Sequence, residues 1–193
     1  MRVSLLLSAL LALAEATVEP RTGISFPEKH KGESLAKLGV RYKGPIKVYA
    51  VGEYDSGTYM LKMSYGVSAK KMVSALGDAL KPRCKDGALI EEFEKCLTKG
   101  LPKGAPKGTV LEFSTGGNKL VVVIDSKPCG SIGSKVLCSA FANIYSDKNA
   151  VCSMSPISAN GEVTGDSCGA CTRARCGAIV GAAAGYAIGK LLG

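Results

Sequence analysis

Cysteine is the residue type in this sequence that offers the widest choice of chemistry. Eight cysteines are present, and cysteine thiols form disulfides, bind metals or carry out redox exchange. Cys168 and Cys171 have the Cys-x-x-Cys spacing that zinc sites and redox sites share. A zinc site needs a second pair or several histidines, and His30 is the single histidine. The redox motif needs a strand–helix context, which is missing around this pair. We therefore predict structural disulfides of open pairing and no metal or cofactor; the eight residues are Cys84, Cys96, Cys129, Cys138, Cys152, Cys168, Cys171 and Cys176.

The first sixteen residues follow the order of segments found in a signal peptide: a positive start, an apolar run and small residues. A short positive start, Met1 and Arg2, precedes the apolar run from Val3 to Leu13. Small residues then supply a cleavage pattern that ends at Ala14 or Ala16. The apolar run is too short to span a bilayer as a helix. We predict a signal peptide over residues 1–16 and entry into the secretory pathway (endoplasmic reticulum or secretion), where disulfides persist; a two-part plastid signal is the alternative.

The net charge is positive but scattered. Lysine and arginine number 25 against 16 acidic residues, so the formal net charge is +9. Proteins that bind single-stranded nucleic acid interleave such cations with aromatic side chains on strands, and no segment of this sequence shows that pattern. The sequence therefore predicts no nucleic-acid partner and a solvated basic surface.

Hydrophobic periodicity predicts three consecutive strands after a polar approach that ends at Glu33. The strands cover Leu35–Tyr42, Ile46–Tyr54 and Tyr59–Tyr65, and turn residues separate them. Their short connections predict an antiparallel meander.

Helical periodicity then alternates with two further strands. Met72, Leu76 and Leu80 recur at helical spacing, and Ser68 is a suitable N-cap for the helix that holds them. A sheet followed by helices, strands and a helix is typical of an α+β domain with an antiparallel sheet covered on one face. The predicted helices are Lys70–Leu80, Gly87–Leu97 and Ser134–Tyr145, and the further strands are Thr109–Phe113 and Lys119–Asp125.

The C-terminal part of the chain differs in composition from the rest. Residues 157–176 are rich in Cys, Gly and Ser and are predicted to form a linker. In residues 177–193 a glycine recurs at every fourth position among apolar residues, which would place a glycine stripe on one side of a helix. Such a tail predicts peripheral membrane contact or helix–helix contact; a flexible tail is the alternative, since glycine disfavours helices.

Several short motifs resemble the chalcone isomerase superfamily. Leu38–Arg41 followed by Gly44–Tyr54 is similar to the signature of that superfamily. The similarity continues through Val67–Met72, Gly108–Phe113 and Ile144–Val151, in the order in which the superfamily has them.

This resemblance implies a chalcone isomerase-like domain over residues 22–156. The superfamily has an α+β fold called an open-faced β-sandwich, in which helices pack on one face of a large antiparallel sheet. A cleft lies between the sheet and the helices, and the ligand is expected there.

The resemblance also has departures that bear on catalysis. The plant isomerases share the arginine at the position of Arg41, but they have a tyrosine at Ser68, an asparagine at Ala75 and a threonine at Tyr49, where this chain differs. Without those donors the water network that polarises the chalcone ketone is lost. We therefore assign no catalytic residue and expect a protein that is not an enzyme.

Fatty-acid-binding members of the superfamily are similar in pairing an arginine with a tyrosine. The resemblance implies that Arg41 and Tyr49 bind the carboxylate of a fatty acid or a similar small hydrophobic ligand, since a guanidinium offers several fixed donors and stays charged. By strand alternation Lys47 and Val51 share a face with Tyr49. The predicted ligand-binding residues are Arg41, Tyr49, Lys47, Val51, Met72 and Leu76.

Two other hypotheses remain open. One is an isomerase, acting as an intramolecular lyase on a chalcone-like molecule, in which Arg41 stabilises charge and Tyr49 donates a proton. The other is a membrane-tethered scaffold in which the tail at 177–193 carries the function.

Overall fold

The structure is a computed structural model that describes residues 15–158 and 161–164. Most of the predicted signal peptide, most of the predicted linker and the whole glycine-striped tail lie outside these residues.

A curled antiparallel sheet forms the centre of the fold. Seven of its strands run in the order β10-β4-β5-β6-β7-β8-β9, and β3 pairs separately with β4. A two-stranded hairpin, β1–β2, precedes them. The strands are β1 Ala16–Glu19, β2 Ile24–Pro27, β3 Lys29–His30, β4 Glu33–Lys43, β5 Ile46–Tyr54, β6 Thr58–Met63, β7 Val110–Ser114, β8 Lys119–Ile124, β9 Lys127–Gly133 and β10 Met154–Pro156.

Three helices cover one face of this sheet: α1 Ala69–Leu80, α2 Gly87–Gly100 and α3 Lys135–Ser146. Each begins after a polar N-cap whose side chain accepts a backbone N–H of the first turn, as Ser68 Oγ does from Lys71 at 3.4 Å. The predicted helices and strands of the central region are all present, and their ends differ from the prediction by a few residues at most.

Aromatic rings fill the space between the helices and the sheet. Phe141 of α3 is fully buried, and its ring centroid lies 4.6 Å from that of Phe113, 5.9 Å from that of Phe93 and 5.7 Å from that of Tyr59. This cluster joins α2, α3, β6 and β7, so it holds the helices at a fixed position on the sheet.

The second face of the sheet is partly covered by the N-terminal hairpin. Phe26 of β2 is fully buried and belongs to a second core cluster with Leu38, Ala50, Tyr54 and others. The sequence pattern indicated only a polar approach here, with the domain starting at residue 22. The short strands were missed because each is four residues long, which is too short for a clear period of two.

Strand β9 was also missed by the sequence pattern. It follows β8 through Asp125 and Ser126, whose φ angles of 46° and 64° lie in the left-handed region. Asp-Gly and Asn-Gly are the usual signals of such a tight turn, and Asp-Ser gave none. Asp125 instead stabilises the turn by accepting the backbone N–H of Val110 at 2.8 Å.

The five cysteines within residues 15–158 are all free thiols. The prediction of structural disulfides is therefore unsupported in this part of the chain, and Cys168, Cys171 and Cys176 lie outside the described residues. Over the described ranges no helix is long and apolar enough to cross a bilayer. The same ranges contain no group of three or more His, Cys, Asp or Glu residues placed to hold a metal ion.

Candidate functional site

A pocket of about 220 Å³ lies between the sheet and the helices, bounded by β4, β5, α1 and α3. Its walls are mostly apolar, and its polar lining consists of cationic and phenolic side chains. The apolar walls include Val48, Val67, Met72, Ala75, Leu76 and Ile144.

Arg41 and Tyr49 lie side by side in this pocket. They are paired residues on the antiparallel strands β4 and β5, so their side chains point to the same face of the sheet. Arg41 is partly buried, and its Nη1 donates to the carbonyl oxygen of Val151 at 2.5 Å. Within the described residues its other N–H groups have no hydrogen-bond partner, so they are available to a ligand.

Among the described residues, the hydroxyl of Tyr49 has one hydrogen-bond partner, the hydroxyl of Tyr145 on α3, at 3.5 Å. Burial is the main cause that raises the pKa of both phenols, so both stay protonated at neutral pH. If Tyr145 donates its proton to the oxygen of Tyr49, then Tyr49 is free to donate its own proton to a ligand in the pocket. Tyr145 would thus act as a positioning residue for Tyr49.

Sequence reasoning missed Tyr145 although it assigned the helix that carries it. A usable signal was present, because Tyr145 follows the buried Phe141 by one helical turn. No local pattern indicated its contact with Tyr49, because the two residues are 96 positions apart in the chain.

Met72 and Leu76 line the pocket as predicted, but Lys47 and Val51 do not. Residue 48 is an extra residue in β5, because Arg41 pairs with Tyr49 and the next residue of β4 pairs with Lys47. This β-bulge breaks the alternation on which the prediction relied. Lys47 therefore lies away from the pocket and donates a hydrogen bond to the carbonyl oxygen of Arg21. Val51 is fully buried in the core cluster beneath the helices and does not line the pocket.

Two lysines that the sequence did not single out lie at the pocket mouth. Lys43 ends β4, and Lys71 lies in the first turn of α1. The helix dipole disfavours a cation in that turn. Together with Arg41 they give the pocket three cationic side chains, and none of its lining residues is acidic.

Cys152 adjoins this site and is predicted to be unreactive in the folded protein. Burial raises the pKa of its thiol to about 12, and the charge of Arg41 only partly offsets that rise. At pH 8 about one thiol in ten thousand is then ionised. We expect iodoacetamide at pH 8 to leave Cys152 unmodified in the native protein and to alkylate it fully in urea, as read by peptide mass spectrometry. Equal labelling in both conditions would contradict the burial that the structure shows.

Comparison with solved structures places this architecture among known folds. The chain is similar to a fatty-acid binding protein of Arabidopsis thaliana, with a TM-score of 0.60 and 24% sequence identity, over 71% of this chain and 94% of that chain. No protein-family model and no curated protein sequence matches the chain. The chain has the chalcone isomerase-like fold, a curled antiparallel sheet with three helices packed against it, as the sequence motifs predicted.

Proposed function

We propose that this chain binds a fatty acid or a similar hydrophobic carboxylate in the pocket between sheet and helices and does not catalyse a reaction. The observation that carries the proposal is the cross-strand pair of Arg41 and Tyr49, which faces an apolar pocket and in which Arg41 has N–H groups that bond to none of the described residues. The similarity in fold to a protein described as fatty-acid binding supports the same ligand class.

The two donors suit a carboxylate. The unused N–H groups of Arg41 would bond to one or both carboxylate oxygens, and the Tyr49 hydroxyl would donate to one of them. Such charge-assisted bonds are stronger than neutral ones, especially where water is excluded. The acyl chain would lie along Met72 and Leu76, where each buried methylene contributes about 0.8 kcal/mol.

The positions where the plant isomerases have a tyrosine and an asparagine supply no polar group to the pocket. Ser68 caps α1 and is not among the pocket residues, while Ala75 lines the pocket with a methyl group. This arrangement favours binding without turnover over the isomerase alternative. Turnover of naringenin chalcone that is lost in an Arg41→Ala variant would instead favour the isomerase.

Native mass spectrometry of the protein purified from cells tests the proposal directly. We expect an adduct that leaves on collisional activation and has the mass of a fatty acid. If the protein carries no adduct and also fails to bind fatty acids added in solution, the proposed function is wrong.

Filling the pocket should also block binding. Ala75 lines the pocket but is exposed at the surface of α1, so Ala75→Phe would occupy the acyl-chain space without disturbing the core. Overpacking costs of about 1–3 kcal/mol correspond to an affinity loss of about fivefold to 150-fold. The measurement is displacement of a fluorescent fatty acid.

The matched control is Ser74→Phe. This exposed neighbour on α1 is not a pocket residue, and the change should leave fatty-acid affinity unaltered. Equal losses in the two variants would mean that the ligand does not occupy the space beside Ala75.

A further inference from the structure

Exposed apolar side chains are concentrated at the end of the sheet where the pocket opens. Tyr42 and Ile46, 39% and 41% exposed, flank the turn between β4 and β5. Tyr65, 53% exposed, lies beside them, because its backbone N–H donates to the carbonyl oxygen of Val48 at 3.1 Å. Of the five large hydrophobic side chains that are exposed in the described part of the chain, these three lie at this one end.

The same end of the molecule is strongly basic. Lys43 and Lys71 line the pocket mouth, and Lys70 is the exposed neighbour of Lys71 in the chain. No Asp or Glu occurs between positions 33 and 53 or between positions 55 and 78, the two stretches that build this end. The concentration of like charge in and around the first turn of α1 is locally unfavourable, since the helix dipole repels cations there.

We propose that this end, defined by Tyr42, Ile46, Tyr65, Lys43, Lys70 and Lys71 and called here the mouth surface, docks on an anionic lipid membrane. Tyrosine rings and aliphatic side chains insert at the boundary between headgroups and acyl chains, and lysines contact anionic headgroups. A second copy of the chain does not fit this surface, because two such patches would bring like charges together.

Docking in this orientation would turn the pocket mouth towards the bilayer. A fatty acid could then pass between the membrane and the pocket without crossing water. This consequence rests on the proposed function, whereas the docking itself does not.

Vesicle flotation of the full-length protein tests the docking. We expect binding to vesicles of phosphatidylcholine with about 30 mol% phosphatidylserine and at least about tenfold weaker binding to phosphatidylcholine alone. Raising the salt from about 0.1 M to about 1 M shortens the Debye length from about 10 Å to about 3 Å and should release the protein.

The test variant is Lys70→Glu with Tyr65→Ser, since neither residue lines the pocket. It should bind anionic vesicles at least about tenfold more weakly than the unaltered protein, because about 1 kcal/mol is expected per lysine at such a surface. A glutamate in the first turn of α1 favours the helix dipole, so unfolding would not explain the loss.

Lys135→Glu with Val136→Ser is the matched control. These residues occupy the first turn of α3, and Val136 is 58% exposed, so the same charge reversal and the loss of an exposed apolar side chain are made away from the mouth surface. The control should bind vesicles like the unaltered protein. If the test variant binds vesicles as well as the control does, the mouth surface is not the docking site.

Fatty-acid affinity in solution separates this inference from the proposed function. The test variant should bind fatty acids in solution as tightly as the unaltered protein does. Failure of vesicle binding with intact fatty-acid affinity would overturn the docking alone. Self-association that depends on Tyr65, without vesicle binding, would assign the surface to a second copy and would overturn it too.

Discussion

Replacing Arg41 with alanine is expected to lower the affinity for a fatty acid about a hundredfold while the protein stays folded. The change removes the cation that is paired with Tyr49 across the sheet, and hydrogen bonds to charged groups are worth about 1.5–3 kcal/mol each. The side chain is partly buried and makes a single hydrogen bond within the described part of the chain, to the carbonyl oxygen of Val151, so its loss should cost only about 1 kcal/mol of stability. Fluorescent fatty-acid displacement measures the affinity, and thermal unfolding measures the stability.

Two further variants define what the arginine supplies. Arg41→Lys keeps the charge but loses the planar set of donors, so an intermediate loss of affinity is expected. Tyr49→Phe removes one neutral donor and should cost about tenfold. Undiminished affinity in a folded Arg41→Ala protein would refute the proposed head-group site.

Replacing Phe141 with alanine is expected to lower the free energy of unfolding by about 3–5 kcal/mol. Its ring is fully buried and contacts rings of α2, β6 and β7, so truncation leaves a cavity where the helices meet the sheet. Surrounding rings belong to separate elements and cannot all close on the gap. Urea unfolding followed by far-UV circular dichroism gives the free energy of unfolding. An unchanged slope of that free energy against urea concentration is expected if unfolding stays two-state.

Val136→Ala on the same helix is the control. Val136 is exposed, so this change should alter the free energy of unfolding by less than about 0.5 kcal/mol. A loss below about 1 kcal/mol in Phe141→Ala would mean that the aromatic cluster does not hold α3 on the sheet. A second readout is fatty-acid affinity, because the ring centroids of Phe141 and Tyr145 are 6.0 Å apart and a shift of α3 would displace Tyr145 from Tyr49.

Local patterns in the sequence were sufficient to predict the central strands and helices. The strands from residue 35 and the helix after Ser68 follow from period, turn residues and caps, which act over a few residues. Elements with weak local signals were not predicted. The hairpin of β1 and β2 is too short to show a period, and the turn before β9 uses Asp125 and Ser126, an uncommon pair for a tight turn.

The candidate site was predictable only in part. The resemblance pointed to Arg41 and Tyr49 and helical spacing pointed to Met72 and Leu76, and all four line the same pocket. Lys47 was misplaced because one extra residue in a strand reverses the face of every residue before it, and a bulge has no reliable sequence signal.

What the sequence by itself determined is the central strands and helices and the α+β class. Those properties depend on side chains a few positions apart. The tertiary structure alone decided the register that sets Arg41 opposite Tyr49, the contact of Tyr49 with Tyr145, and the basic and apolar end around the pocket mouth. Each of these joins residues distant in the chain, and their meeting depends on how the sheet curls and how the helices pack on it.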